Sequence, residues 1–198
     1  MEVLRHTRHM DLHEPSFGDI PKHRLKQERR FFREGGRIVV QDGHGPGWQD
    51  VLNLHDVSRN RKGLNSHMTL LEPLLSRVAP ELWTFCVLAV DEQGQALASG
   101  GFVLLANGTC VYAFGGQKRS AASGRASVAM LMAAIREAQS LGCQAFDFGG
   151  SLDPGVDQFY AEFGAKPIPL RRWVFAPFWF RYLVPWHWRS WTQSSPHF

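Results

Sequence analysis

Two residues in the second half of the chain are of a type that asks for chemistry. In Phe146-Asp147-Phe148 a carboxylate interrupts an apolar strand pattern just ahead of Gly149-Gly150, and strand alternation turns the two rings to one face and Asp147 to the other. A buried, unpaired carboxylate is costly. Asp147 is therefore expected to meet an arginine, backbone donors at Gly149 and Gly150, or a substrate amine whose proton it could take. Further on, Tyr160 opens the stretch Tyr160-Ala161-Glu162-Phe163-Gly164 on a short amphipathic segment. A phenol with an ordinary pKa near ~10 can hand a proton to a departing group, and a ring in such a place can equally pack into a core. The residues alone leave both roles open. Glu162 and His67 are further candidates for receiving a proton from an acceptor amine.

These residues must be positioned by the elements around them. The segment 22–36 reads as a basic helix stopped at Gly35-Gly36, 37–41 as a short strand, and 48–63 and 68–82 as two more helices, the second carrying Pro73. The period then changes to two. Residues 83–90, the run ALASGGFVLLA and 109–116 form an expected antiparallel meander, with Asn107-Gly108 as its tightest turn. A small-residue loop, 117–125, leads into a long helix over 126–142 with Val128, Leu131, Met132 and Ile135 on one face. Residues 143–150 then give a strand parallel to its predecessor, because a helical crossover joins them. A short helix at VDQFYAEFGA and a last strand at PIPLRRWVFAP follow. Residues 1–21 have no clear period and read as an arm of uncertain order, 22–176 as one domain, and 177–198 as a tail. The fold class is α/β (α+β), a mixed, mostly antiparallel sheet flanked by helices.

Composition narrows the field. With 198 residues, 44% hydrophobic and 20% charged, the chain has room for one well-filled core and does not resemble a disordered protein. A net charge of +4 favours anionic partners: phosphates, coenzyme A, nucleic acid or acidic lipid. Cys86, Cys110 and Cys143 are odd in number and lie in apolar runs, which suits reduced core residues in the cytoplasm. The opening MEVLRHTRHMDLHEP has no apolar stretch, so no secretory signal is expected. His44 and His55 have no partners at ligand spacing, and no metal is expected. Walker, G-x-S-x-G and C-x-x-C patterns are absent.

The order of elements, with KHRLKQERRFFREGG, LHDVSRNRKG, AVDEQGQALASGGFVL and the pair FDFGGS and FYAEFGA, resembles the GNAT acyltransferase superfamily, and within it the FemAB/FemX group of peptidoglycan aminoacyltransferases. The resemblance covers about residues 22 to 176. Members that take amino acids from tRNA generally have two tandem lobes, and this chain has room for the second alone. That group usually reads F-K-R-x-F-G in the short helix; here the lysine position is Tyr160, which matches the Y-x-x-[LF]-G of ordinary GNAT enzymes. In those enzymes the tyrosine protonates the thiolate leaving coenzyme A.

The resemblance implies transfer of an acyl or aminoacyl group to a small-molecule or peptide amine. Tyr160 would be the acid and Asp147 a base beside the acceptor, the two groups projecting into one cleft where the parallel strands splay. Gly115 and Gly116 would meet the acyl group. Lys118, Arg119, Ser123, Gly124 and Arg125 fall where GNAT proteins hold pyrophosphate, although a clean Q/R-x-x-G-x-G/A signature is lacking and a plain loop capped at Ser123 is the alternative. Arg59, His67 and Glu162 would line the acceptor cleft, with Arg61 and Lys62 nearby. No cofactor is expected to be tightly bound; the donor is acyl-CoA, acyl carrier protein or aminoacyl-tRNA. An N-acyl amino acid synthase whose basic helix docks an acidic carrier, and a non-catalytic binding module, are the other readings. The tail FWFRYLVPWHWRSWTQ interleaves rings with arginines, which suits a lipid interface at the inner membrane surface, packing on the domain, or a dimer contact.

Overall fold

In the computed structural model, which describes residues 2–13, 20–43, 45–78, 84–150, 153–173 and 182, the chain runs β1 (Glu2–Asp11), α1 (Lys22–Arg33), β2 (Arg37–Asp42), α2 (Gly47–Arg61), α3 (Met68–Val78), β3 (Thr84–Val90), β4 (Ala96–Leu104), β5 (Thr109–Gln117), α4 (Ser123–Ser140), β6 (Ala145–Asp147), α5 (Pro154–Ala161) and β7 (Lys166–Trp173). The strands make one seven-stranded sheet in the order β2-β3-β4-β5-β6-β1-β7. Every junction is antiparallel except β5 with β6, where the α4 crossover makes the pair parallel. The mixed, mostly antiparallel sheet is the one expected, and β2 extends the meander by a strand.

The amino-terminal residues differ from expectation. Instead of an arm, residues 2–11 form a strand between β6 and β7, with His9 opposite Asp147 on one side and Lys166 on the other. Backbone hydrogen bonds on both sides hold it, and such bonds leave no trace in a side-chain pattern rich in His and Arg. The aromatic and basic tail lies outside the described residues apart from Tyr182.

Alternation along the meander builds two cores. On one face Phe85, Val87, Phe102, Phe146 and Phe148 meet Val128, Leu131, Met132 and Ile135 of α4, all nearly or fully buried. Each such side chain contributes about 1.5–3 kcal/mol through burial. On the other face Trp48 and Val51 of α2 pack on Cys86, Leu88 and Val90. Burial pushes the Cys86 thiol up to about 12, so it stays a protonated core side chain. The long helix begins at Ser123 rather than 126; Ser123 is buried and its Oγ lies 2.7 Å from that of Ser120, so it does not cap a loop.

Candidate active site

Two irregularities in β5 and β6 create the site. The parallel pairing ends at Val111 opposite Asp147, although β5 continues to Gln117 on β4 alone. Beyond Asp147 the other strand follows β1, with the Phe148 N–H donating to the Arg8 carbonyl at 2.8 Å. A gap therefore opens between β5 and the chain after β6, at their carboxyl ends. The second irregularity is a bulge. Gly101 faces Phe114 and Phe102 faces Tyr112, so β5 carries one extra residue, Ala113. In consequence Tyr112 and Phe114 turn to opposite faces: Tyr112 stacks on Phe102 with ring centres 5.2 Å apart, and Phe114 packs against His55 and Trp48.

On the α4 face of the gap lies a pair of phenols. α5 starts cleanly, with Pro154 in its first turn and Asp153 accepting from the N–H groups of Gly155 and Val156. One face of this helix presents Tyr160, whose ring sits 5.1 Å from Phe148 of one diverging strand and 6.4 Å from Tyr112 of the other. Neither phenol has a protein hydrogen-bond partner among the described residues. Burial pushes both well above the ordinary tyrosine value, so both stay protonated at neutral pH. The Tyr112 hydroxyl abuts Gly115; a side chain there would collide with it and with the Ser99 carbonyl.

On the opposite face α2, α3 and the sheet line an open-mouthed cavity of about 410 Å³. Its walls include Trp48, Leu71, Leu75, Val103 and Phe114, and His55, Arg59 and His67 supply polar groups. Ala113 and Phe114 also line it, so the cavity reaches the bulged stretch of β5. His55 lies buried with Nδ1 3.3 Å from the Gly115 carbonyl and a second contact to the Ser66 carbonyl. Burial lowers its pKa and outweighs the two carbonyls, which leaves a neutral imidazole. Helix α2 approaches β5 so closely that a Cβ on Gly116 would collide with the Leu54 carbonyl. Its carboxyl end is fastened at the open end of the sheet, where Arg61 donates to the Gln117 carbonyl at 3.0 Å and Lys62 pairs with Asp153 at 3.3 Å.

Several expected site residues are placed elsewhere. Asp147 does not share a cleft with Tyr160: alternation puts it on the face opposite Phe148 and its tyrosine neighbour. There its Oδ1 accepts from the Thr7 hydroxyl and from the Gly149 N–H, the latter at 2.8 Å. The carboxylate ties β1 to the turn after β6. Glu162 faces α1, and the upward push of burial is outweighed by hydrogen bonds from Arg24, at 2.6 Å, and His23. Arg125 pairs with Glu34 at 2.7 Å, and Lys118 reaches Gln95 at 3.3 Å. Gly116 is sealed by α2. That leaves Arg119, exposed, and Gly124, with open space where a side chain would be, at the amino end of α4, which no side chain among the described residues caps. Arg59 and His67 do line a cavity, the one on the α2 face. His55, Tyr112 and Phe114 are the site residues that the sequence did not single out as such; a glycine pair following aromatic residues in β5 was the available signal.

Comparison with known proteins agrees with this fold. Among solved structures, FemX superposes with a TM-score of 0.69 at 12% identity, covering 82% of this chain and 59% of FemX. L-PGS from Bacillus licheniformis gives 0.59 at 13% identity over 86% of this chain and 60% of that one. A probable N-acyltransferase from Enterococcus faecalis gives 0.52 at 11% identity over 84% and 38%. The chain thus spans less than two thirds of the length of these structures, and at such identities the likeness is one of fold. No curated protein matches. The acetyltransferase (GNAT) domain family matches residues 22–162, most of the chain. That match, over a sheet whose β5 and β6 splay and whose β5 bulges against β4, establishes that the chain belongs to the GNAT acetyltransferase domain family.

Proposed function

We propose that this GNAT domain moves an acyl group from a phosphopantetheine thioester to an amine, and that the two substrates meet in the gap between β5 and β6. One observation carries the reading. The same stretch of β5, Tyr112 to Gly115, is flanked on one face by two phenols without hydrogen-bond partners among the described residues and on the other by a substrate-sized cavity. A bimolecular transfer needs two separate approaches converging on one point.

The uncapped amino end of α4 suits a phosphate, since helix N-termini offer N–H groups and the positive end of the dipole. The thioester carbonyl would lie along the side of β5 that β6 leaves unpaired, where backbone donors polarise it. The amine nitrogen attacks that carbonyl carbon, the C–N bond forms, and the C–S bond breaks. His55 takes the amine proton, and Tyr160 protonates the departing thiolate. Asp147 has no part in these steps.

A second feature favours a protein carrier as the source of the donor. Lys22, Lys26, Arg29 and Arg33 follow one another at i, i+4, i+7 and i+11 on α1, all exposed and without partners among the described residues. The Glu34–Arg125 pair joins the end of this stripe to the amino end of α4. An acidic carrier lying on the stripe would deliver its pantetheine arm to the gap. No helix among the described residues is long and apolar enough to cross a membrane. Amine-dependent thiol release from acyl-CoA and from acylated carrier protein tests the proposal. With the carrier, the double variant K26E/R29E should raise KM about tenfold and leave acyl-CoA turnover unchanged. Release from neither thioester, or transfer from aminoacyl-tRNA alone, would overturn it and favour the binding-module or tRNA-dependent readings.

A further inference from the structure

The cavity on the α2 face has apolar walls and a cation at its edge. Arg59 lies one turn after His55 on α2, so both project to the same side. Its Nε donates to the Asn65 carbonyl at 2.6 Å, which fixes the side chain and leaves the terminal nitrogens for other acceptors. No carboxylate among the described residues pairs with it, and the adjacent acid, Asp56, accepts from the Ser66 hydroxyl instead. At the rim of a cavity whose walls include Leu71, Leu75 and Phe114, the planar fork of this guanidinium matches a carboxylate. His67, which also lines the cavity, is the described non-glycine residue with positive φ, 52°, and its N–H is held by the Asn65 side chain at 2.8 Å. A strained residue at a cavity mouth is a recurring mark of a binding position.

Resting on the transfer reading, we propose that the acceptor is a free α-amino acid with an apolar side chain. Its carboxylate is held by Arg59, its side chain lies against Trp48, Leu75 and Phe114, and its amine points toward Gly115 and His55. The one-turn spacing on α2 lets the two residues address the amine and the carboxylate of a single small molecule in the cavity they both line. The products are an N-acyl amino acid and a free thiol: the amine loses one proton to His55, and the thiolate gains one from Tyr160.

Calorimetry on the full chain with L-leucine and L-phenylalanine, against 3-methylbutylamine and 2-phenylethylamine, tests the acceptor class without a donor. These amines keep the apolar bodies and lack the carboxylate. The amino acids should bind at least about tenfold more tightly. Arg59→Gln should abolish that preference, and Arg59→Lys should restore part of it. Equal binding of acids and amines, binding of neither, or an unchanged preference in Arg59→Gln overturns the proposal. Thiol-release assays separate the two levels. Arg59-dependent binding without thiol release retains the acceptor class and discards the transfer; release with the amines but not the amino acids does the reverse.

Discussion

The two faces of the sheet at its open end are built from the same strands to opposite specifications. On the α4 face, Phe85, Phe102, Phe146, Phe148 and Phe163 fill the space with ring against ring, and Tyr112 and Tyr160 complete the cluster at the gap. On the α2 face the same strands supply Thr84, Val103 and Phe114 to the wall of a hollow. The bulge at Ala113 makes the difference local, because it sends adjacent aromatic residues of β5 to opposite sides. Stability is concentrated on the filled face and access on the hollow one. On the proposed reading, a phenol that must keep its proton lies against packed rings, and an acceptor that must come and go lies in a space left unfilled.

Truncation should separate the faces most strongly. Phe148→Ala removes a fully enclosed ring and the shelf beneath Tyr160, and should cost about 4 kcal/mol by chemical denaturation. Leu75→Ala, on a half-buried cavity wall, should cost about 1 kcal/mol. Equal losses would erase the distinction between filled and hollow faces.

The pH dependence of turnover sharpens the chemistry of the hollow face. Burial holds His55 below its ordinary 6.5, so the neutral ring is present above that pH and is lost as the pH falls through its lowered value. Turnover should therefore be level near neutrality and decline on the acid side. His55→Gln should lower turnover by about 100-fold and remove the acid limb. An unchanged limb would assign the proton acceptor elsewhere.

A smaller effect is expected where β1 meets the filled face. Arg8 donates to Asp157 through Nε at 2.8 Å and through a terminal nitrogen, with His6 at 2.9 Å. Hydrogen bonds from Arg8 hold the carboxyl of Asp157 well below the usual carboxylate range, against the upward push of burial. A depressed pKa means that this stabilisation is complete above the unfolded value near ~4 and is lost as the pH falls below it. Asp157→Asn should cost about 1–2 kcal/mol at neutral pH and flatten the acid side of the stability profile. An undiminished acid slope would mean that other carboxylates dominate it.

Much of this architecture was legible in the sequence because it is written locally. Asn107-Gly108 fixed one hairpin, the face of Val128, Leu131, Met132 and Ile135 fixed α4, and the helical crossover implied a parallel β6. Tyr160 stood out through its short motif, and alternation correctly turned Asp147 away from Phe146 and Phe148. What escaped depends on distant partners. The pairing of β1 with β7 joins the two ends of the described chain. Arg125 finds Glu34 from another helix, and His55 is defined by a carbonyl sixty positions away on β5. A lone histidine on an amphipathic helix carries no mark of that contact. The partner of Asp147 escaped for a similar reason, since the Thr7 hydroxyl that engages it belongs to the unanticipated strand.

The most direct measurement is amine-dependent thiol release from an acyl-pantetheine thioester by the wild-type chain and by Tyr160→Phe, which keeps the ring against Phe148 and removes one hydroxyl. Loss of the proton donor should lower kcat by about 10²- to 10³-fold, with KM and melting temperature nearly unchanged. Equal kcat in the two proteins, or no amine-dependent release by either, would contradict acid catalysis at the gap between β5 and β6.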